Sequence, residues 1–258
     1  MTNGHILGSI SPSLNHAFAF ASGGTDVVFD WYPMQVPTGG CILKSFSATV
    51  MGTNGAAANA VDFNLWFATS INGVAPSTFG TPHTARTTFV NAAAKFRRNI
   101  LGHILIDMST TDDHEALVTY MVVSTRVGPA GSAQATGRIP EIMLQGEPDK
   151  DNPGYQTIWV AMEAKGAAWD FGTDVDLNQS GHQAASTAAV QIITSGTDPR
   201  LVFQPGDILM GHTGTVEMEV VSTDSATTMT VKNITDIIDH QEQLVIKNPI
   251  NLRFGLQY

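Results

Sequence analysis

The sequence predicts an all-β protein with a minor helical part: a jelly-roll-like antiparallel β-sandwich with a small C-terminal β-barrel-like module. Six segments rich in β-branched and aromatic residues are each bounded by Gly, Pro, Asn or Asp, at residues 26–34, 41–52, 60–71, 116–127, 141–146 and 156–166. Beyond residue 197 the apolar runs become very short and alternate with tight-turn signals. This spacing favours a sandwich or a barrel over parallel βαβ units.

Alternation of apolar and polar residues assigns faces within three of these strands, because successive side chains of a strand point to opposite sides. Residues 41–52 are predicted to place on one face Ile42, Lys44, Phe46, Ala48 and Val50. Residues 60–71 are predicted to place on one face Val61, Phe63, Leu65 and Phe67. In residues 156–166, Ile158, Val160 and Met162 oppose Thr157, Trp159 and Ala161.

One segment has the periodicity of a helix. Residues 87–101 contain an Ala run, lack Gly and Pro, and place Phe89, Phe96 and Ile100 on one helical face. We predict an amphipathic helix there that crosses between strands. Residues 183–193 mix Ala and Thr too evenly to predict a helix, and we interpret them as a connection to the following strands.

The C-terminal region carries the clearest turn. Pro205 fixes φ for the second position of a type I or II turn, and Gly206 accepts the positive φ of a type II turn at the third. The carboxylate of Asp207 can then accept a backbone N–H, so we interpret Asp207 as structural rather than catalytic. Residues 244–258 are predicted to form two strands split at Asn248-Pro249 and docked against the fold.

These patterns divide the chain into three parts: an extended N-terminal segment at residues 1–24, a β-sandwich domain at 25–196, and a small β module with the C-terminal strands at 197–258. A barrel-like unit of about forty residues is too small to be comfortably stable alone. We therefore expect the module to pack on the sandwich or on a neighbouring subunit.

The composition is that of a foldable chain with little charge. Of 258 residues, 43% are hydrophobic and 14% are charged, against roughly 25% charged in an average soluble chain. Fewer charges must be desolvated when two such surfaces meet, so the composition favours association. The net charge of −10 argues against broad contact with nucleic acid, and the tight basic cluster at residues 95–98 is too small to change this.

Cysteine content and hydropathy bear on the compartment. Cys41 is the only cysteine, which excludes an intrachain disulfide and a cysteine-based zinc site within one chain. This fits synthesis in a reducing cytoplasm. The N-terminal residues lack the basic and apolar parts of a signal peptide, and the longest apolar runs, such as residues 116–123, are far short of a membrane span.

Motifs of common enzyme classes are absent from the sequence, which contains neither the Gly-x-Ser-x-Gly elbow nor the P-loop, Gly-x-Gly-x-x-Gly or His-Glu-x-x-His patterns. The pairs Glu217/Glu219 and Glu141/Glu147 have the residue type of a glycosidase acid and base. Two glutamates on one face of a short strand are, however, common without function. We assign no catalytic, cofactor-binding or metal-binding residue, and no cofactor.

Two acidic loops resemble the beginning of a calcium-binding loop. Residues 147–154 and residues 170–178 each place aspartates two positions apart. Both depart from the pattern where calcium is most demanding: Pro153 replaces an oxygen ligand in the first, and Gln179 replaces the essential Gly in the second. We therefore interpret both loops as turns.

Histidines and tryptophans indicate no site in the sequence. His103 and His114 flank residues 104–113 without a metal-binding spacing, and no histidine is assigned to a site. The tryptophans lie in or next to strands, where they are usually core or interface residues: Trp31, Trp66, Trp159 and Trp169. A carbohydrate-binding surface would need several of them exposed on one flat face.

Three features occur together: a charge-poor β-sandwich sequence rich in Thr, Ala and Gly, the segment TIWVAMEAKGAAWDFGTDVDL, and the segment PGDILMGHTGTVEMEVVSTDSATTMTVKN. Together they resemble virion structural proteins of tailed bacteriophages, most of all capsid decoration (cement) proteins. The resemblance implies a non-enzymatic protein, made in the host cytoplasm and located on the virion capsid surface. It implies a homotrimer that binds the major capsid protein and neighbouring copies of itself, with no nucleic-acid or membrane partner.

Other functions remain alternatives to a decoration role. The first is a tail, neck or fibre component of the same virion. The second is a carbohydrate-binding or receptor-binding β-sandwich, and the third is an enzyme. The C-terminal module and residues 1–24 are the candidates for the parts that contact a partner.

Overall fold

The computed structural model describes residues 5–10, 26–51, 62–82, 84–86, 98–106, 118–124, 142–165, 175–211 and 216–258. These residues form sixteen strands and one short helix, α1 (Pro199–Val202). The strands are β1 (His5–Ile10), β2 (Val27–Pro37), β3 (Cys41–Met51), β4 (Asp62–Thr69), β5 (Ile100–Ile106), β6 (Val118–Ser124), β7 (Met143–Leu144), β8 (Glu147–Pro148), β9 (Tyr155–Lys165), β10 (Val175–Leu177), β11 (Val190–Gly196), β12 (Ile208–Gly211), β13 (Glu217–Ser225), β14 (Thr228–Lys232), β15 (Leu244–Ile246) and β16 (Ile250–Gln257).

Two antiparallel sheets form the sandwich. One has the strand order β1-β16-β3-β6 with β7 on β3, and the other has the order β2-β9-β4-β5 with β8 on β9. Both sheets contribute to one apolar core, in which the ring of Phe254 lies 5.4 Å from Phe46 and 5.8 Å from Phe67 between centroids. Tilted and edge-to-face rings at such distances stabilise a core beyond their buried area. The predicted all-β sandwich is confirmed.

The remaining six-stranded sheet, β10-β11-β14-β13-β12-β15, forms the barrel-like module. Its end strands approach each other through a bridge between Asp176 and Gln243, and the N–H of Leu177 donates to the carbonyl of Glu242 at 2.9 Å. The sheet is therefore nearly closed, which protects the edge strands. Within the described residues, the module's core, built mainly from Val, Ile, Leu and Met, shares no residue with the sandwich core. This confirms the predicted barrel-like module.

The strands do not divide between the sandwich and the module at residue 197, where the sequence placed the boundary. The module begins with β10 at Val175, and after β15 the chain returns to the sandwich, where β16 lies between β1 and β3. The interpretation of residues 183–193 as a connection is wrong for its last part, because Val190–Gly196 is strand β11. Short strands with polar neighbours carry too little local pattern to indicate their sheet.

Two predicted segments overlap the described residues only in part. Of residues 1–24, His5–Ile10 form β1, which pairs with β16 of the same chain, so this part of the segment contacts the sandwich itself. Of the predicted helix, residues 87–97 lie outside the described residues. Its last residues, Ile100 and Leu101, begin strand β5, so the helix prediction is wrong there.

The face prediction for β3 is wrong in its first half because the strand contains a bulge. Phe46 and Ala48 are buried as predicted, but Cys41 and Leu43 are buried as well. The pairing with β16 steps from Ser45–Gly255 to Leu43–Leu256, which leaves one extra residue in β3. Such a residue reverses the faces of all residues before it. A Cβ on Gly255 would lie 2.1 Å from Ser45 Oγ, so a larger residue there would require the Ser45 hydroxyl to move.

The other face predictions are confirmed for the described residues. Phe63, Leu65 and Phe67 of β4 are buried, as are Ile158, Val160 and Met162 of β9. The C-terminal residues form two strands split at Asn248-Pro249, with Leu252, Phe254 and Leu256 buried. Tyr258 departs from the prediction, because 55% of its surface is exposed. In the described part of the chain, no helix has the length and apolar character needed to cross a membrane.

Candidate functional site

A buried carboxylate lies on the side of β9 that faces away from the sandwich core. Glu163 is 1% exposed, and its Oε1 accepts hydrogen bonds from Asn64 Nδ2 at 2.9 Å and Trp66 Nε1 at 3.0 Å. Its Oε2 accepts from Arg86 Nε at 2.5 Å. Asn64 and Trp66 belong to the neighbouring strand β4, in which Asn64 pairs directly with Glu163. Arg86 belongs to the segment that follows β4. Both oxygens are thus bonded to protein groups.

Residues 70–82 and 84–86 cover this face of the sheet. The Arg86 guanidinium lies 5.5 Å from the Trp66 ring and 5.6 Å from the Phe79 ring, as in cation–π contacts. Asp30 of β2 accepts hydrogen bonds from Thr78 Oγ1 and from the Phe79 N–H, each at 2.6 Å. These contacts attach the covering segment to the sheet and exclude solvent from Glu163. The arrangement is suited to holding a segment in place rather than to transferring protons.

Sequence reasoning did not identify the Glu163–Arg86 pair. A signal was present, because Glu163 is an acidic residue within the otherwise apolar run of β9. A buried acid requires a partner, but nothing local in the sequence indicates that Arg86 is that partner. The sequence could therefore have predicted a buried charge on β9, but not which residue pairs with it.

The acidic loop at residues 147–154 is a turn tied to its surroundings. Glu147 accepts the N–H groups of Asn72 at 2.5 Å and Gly73 at 2.6 Å. The hydrogen bond from the Asp151 backbone lowers the pKa of Asp149 most, and the bond from Gln35 lowers it further. These bonds favour the ionised carboxylate. The interpretation as a turn fits residues 149–154, which connect β8 to β9, whereas Glu147 and Pro148 form strand β8.

Beside this loop lies an open cleft with a volume of about 480 Å³. Most of its lining residues are of polar type, and they include Ser70, Asn72, Glu147, Asp149 and Thr157 beside Trp159. Trp159 is half-buried, and its Nε1 donates to Ser70 Oγ at 2.8 Å. The pair Glu141/Glu147 proposed from sequence is not formed by described residues, because Glu141 lies outside them.

The second acidic loop is partly a strand. Residues 170–174 lie outside the described residues, whereas Val175–Leu177 form β10. Val175 and Leu177 are buried in the core of the module, and Asp176 forms a bridge with Gln243. The interpretation of residues 170–178 as a turn is therefore wrong for β10.

Glu217 and Glu219 both lie on β13 and each forms a surface ion pair. Glu217 lies 2.6 Å from Lys247 Nζ, and Glu219 lies 2.9 Å from Lys232 Nζ. The hydrogen bond from Lys232 lowers the pKa of Glu219 most, despite an opposing effect of desolvation, and Asn233 lowers it further. A glycosidase acid requires a raised pKa instead. The lowered pKa of Glu219 therefore does not suit the acid of such a pair.

The described tryptophans do not form a flat binding face. All three are half-buried, and each indole N–H donates to a group of the same chain: Trp31 to the Ser77 carbonyl, Trp66 to Glu163 and Trp159 to Ser70. His103 is exposed and stacks on Trp66 with ring centroids 4.6 Å apart. His114 and Trp169 lie outside the described residues. The described tryptophans were predicted to be core or interface residues, and each packs partly against its own chain.

Asp207 completes the turn that the sequence indicated. Gly206 has a φ of 94°, and Asp207 Oδ2 accepts the Gln204 N–H at 2.8 Å. The Asp207 N–H also donates to the Gln204 carbonyl at 3.1 Å, which closes the turn before β12. The carboxylate of Asp207 therefore has the structural role inferred from the sequence.

An apolar surface lies at one end of the sandwich, where the β2–β3 turn, β7 and the chain terminus meet. Met143 is 62% exposed and Tyr258 is 55% exposed. They border a hollow of about 300 Å³. We refer to its lining as the end surface, which consists of Gly39, Gly40, Cys41, Ile42, Met143, Gln257 and Tyr258. Met143 and Tyr258 thus place two exposed apolar side chains beside one hollow.

Three residues that could hold a metal ion come together in the module. His182, Asp239 and His240 place one ligand atom each within 4.8 Å of the others. Sequence reasoning missed this cluster because His182 and His240 are far apart in the chain. The adjacent Asp239-His240 pair was visible, but its partner was not.

The comparisons with known proteins add no relationship. The sequence matches no family model and no curated protein, and the fold matches no solved structure.

Proposed function

We propose that this protein is a non-enzymatic structural protein that binds and stabilises a phage capsid shell, as a decoration protein does. The observation that carries the proposal is the end surface, which exposes Met143 and Tyr258 in a chain of which only 14% is charged. The occupant that we propose for this surface is a neighbouring subunit of the shell. A second copy of the same chain, as part of a homotrimer, completes the contacts.

The state of the carboxylates supports a non-enzymatic role. Glu147, Glu163 and Asp207 accept hydrogen bonds from groups of the same chain. Glu217 and Glu219 are paired with lysines. A general acid or base needs a free position toward its substrate and a suitable pKa. Of the carboxylates that the sequence suggested as an acid or base, Glu147, Glu217 and Glu219 are each bonded to groups of the same chain, and Glu219 has a lowered pKa.

The mechanism follows from mass action. A protein that binds the assembled shell, and not its separated subunits, stabilises the assembled state by a free energy that grows with the logarithm of its free concentration over its Kd. A trimer engages several subunits at once, so the second and third contacts are intramolecular and raise the overall affinity. Low surface charge reduces the cost of desolvation at each contact.

Co-sedimentation with empty shells of the cognate virus tests the proposal. Met143→Asp and Tyr258→Asp place a charge in the end surface, so we expect each to weaken binding at least tenfold. Leu201→Asp is the matched control, because Leu201 is 66% exposed on α1 and lies outside the end surface. Equal binding by all variants, or no binding by the unmodified protein, contradicts the proposal.

A second candidate function rests on the polar cleft. A tryptophan edge beside hydroxyl, amide and carboxylate groups is a chemistry that also binds sugars. Tight binding of a polysaccharide that is lost in Trp159→Ala, together with no binding to shells, would favour a carbohydrate-binding role instead. Binding to an isolated tail or fibre assembly, but not to shells, would favour the tail alternative.

A further inference from the structure

The residues of the metal-ligand cluster in the module are brought together by a short antiparallel contact. The N–H of Gln183 donates to the Ile238 carbonyl at 3.0 Å, and the N–H of Ile238 donates to the Gln183 carbonyl at 2.8 Å. In antiparallel register this bridge places His182 opposite Asp239. A second bridge, between Ser186 and Ile234, continues the same contact. The backbone therefore fixes the cluster even though its side chains are at the surface.

The distances from the Asp239 carboxylate to the two imidazoles are close to those between two ligand atoms of one bound ion. Asp239 Oδ1 lies 2.7 Å from His240 Nδ1 and 3.7 Å from His182 Nδ1. Bonds of about 2.0–2.2 Å from zinc to nitrogen or oxygen, in a tetrahedral arrangement, separate two ligand atoms by about 3.3 Å. The observed distances bracket this value. Small rotations of exposed side chains would bring the three atoms around one ion.

The chemistry of the ligands selects the class of ion. Two imidazoles and one carboxylate suit Zn²⁺ and its transition-metal neighbours, whereas Ca²⁺ and Mg²⁺ prefer sites made of oxygen atoms. Asp239 supplies the anionic oxygen of the set, because an aspartate is ionised at neutral pH.

We propose that His182, Asp239 and His240 form a binding site for a divalent transition-metal ion of the Zn²⁺ class. Three protein ligands leave one position of a tetrahedral ion open, and water fills it. The ion links the connection before β11 to the connection before β15. It thereby stabilises the barrel-like module when bound. The site is independent of the proposed function.

Titration of the tag-free full chain with ZnCl₂ by isothermal calorimetry tests this site, after chelator treatment and dialysis. We expect one ion per chain and an affinity that falls at least tenfold in His182→Ala, His240→Ala and Asp239→Asn, because each variant removes one ligand. His103→Ala is the matched control, since His103 is also exposed but stacks on Trp66 away from the cluster. Its affinity should be unchanged.

A thermal unfolding series separates binding from folding. With chelator present, the variants should have the same Tm as the unmodified protein, because the three side chains are exposed. Added ZnCl₂ should raise the Tm of the unmodified protein and of His103→Ala only. The proposal is overturned if ZnCl₂ does not bind, or if the His182→Ala/His240→Ala double variant binds it equally well. Competition by CaCl₂ at equal concentration would overturn the assignment of the ion class.

Discussion

Glutamates on strands of the two β-units have different surroundings. In the sandwich, Glu163 is 1% exposed and lies beneath the segment that carries Arg86. In the module, Glu219 is 27% exposed and pairs with Lys232 on an open strand face. The residue type and the local strand are alike, so the difference comes from the segment that covers the sheet. A buried charge that loses its partner is costly, whereas a solvated pair contributes little.

The largest effect is expected from Glu163→Gln. The substitution keeps the volume but removes the buried negative charge that the half-buried Arg86 guanidinium contacts, which should cost about 3–5 kcal/mol of unfolding free energy. Urea unfolding followed by tryptophan fluorescence measures this loss. The matched change in the module, Glu219→Gln, should leave the unfolding midpoint nearly unchanged. Equal losses in both variants would contradict the contrast between the two units.

Matched truncations of the two cores test whether the units unfold separately. Val160→Ala in the sandwich and Val231→Ala in the module each remove two buried methyl groups, for a loss of about 2 kcal/mol. The three described tryptophans belong to strands or segments of the sandwich, because Trp31, Trp66 and Trp159 lie on β2, β4 and β9.

We therefore expect Val160→Ala to shift the fluorescence transition and Val231→Ala to shift only part of the far-UV circular dichroism transition. The reason is that the two core clusters share no described residue. A single transition, displaced equally by both substitutions and by both probes, would mean that the units unfold together.

The turn before β12 should give a smaller effect. Asp207→Ala removes the acceptor of the Gln204 N–H and should destabilise the module by about 1 kcal/mol. Asp207→Asn is the control, since its amide oxygen can accept the same hydrogen bond. Thermal unfolding by circular dichroism measures both. A loss in Asp207→Asn as large as in Asp207→Ala would show that charge, rather than the hydrogen bond, is what the turn requires.

The last prediction concerns ionisation of the Cys41 thiol in the sandwich, which should change the free energy of unfolding least near neutral pH. Burial raises the pKa of its thiol to about 11 from a reference value of 9.0, which lowers the thiolate fraction at neutral pH about 100-fold. Because the folded pKa is raised, the stabilisation is complete below the unfolded pKa and is lost as the pH rises through about 11.

The rate at which Cys41 reacts with a disulfide reagent measures its thiolate fraction and its accessibility. At neutral pH, reaction of the folded protein should be slow, and unfolding in urea should restore the rate of an ordinary thiol. A folded protein that reacts as fast as the unfolded chain would show that Cys41 is accessible at the end surface.

Local signals explain which parts of the fold could be predicted. Alternation identified the core faces of β4 and β9, and the Pro205-Gly206 pair identified a turn, because each depends on neighbouring residues alone. The bulge in β3 could not be predicted, since it lies in the pairing with β16, a strand about 200 residues away in the chain. The placement of β16 in the sandwich also depends on a distant partner.

The candidate sites also divide into those set by neighbouring residues, which could be predicted, and those set by distant segments, which could not. The role of Asp207 was predictable because its partner, Gln204, is three residues away. The Glu163–Arg86 pair and the cluster of His182, Asp239 and His240 join segments that meet only in the folded chain. Composition indicated a surface suited to association, but the location of the end surface required the pairing of β3 with β7 and β16.

Sedimentation of the purified protein with empty shells and, separately, with unassembled shell subunits tests the central proposal most directly. We predict saturable binding to assembled shells, reduced at least tenfold by Met143→Asp and unaffected by Leu201→Asp, with little binding to free subunits. A protein that stays in the supernatant as a monomer, with shells present at saturating concentration, would contradict a decoration role.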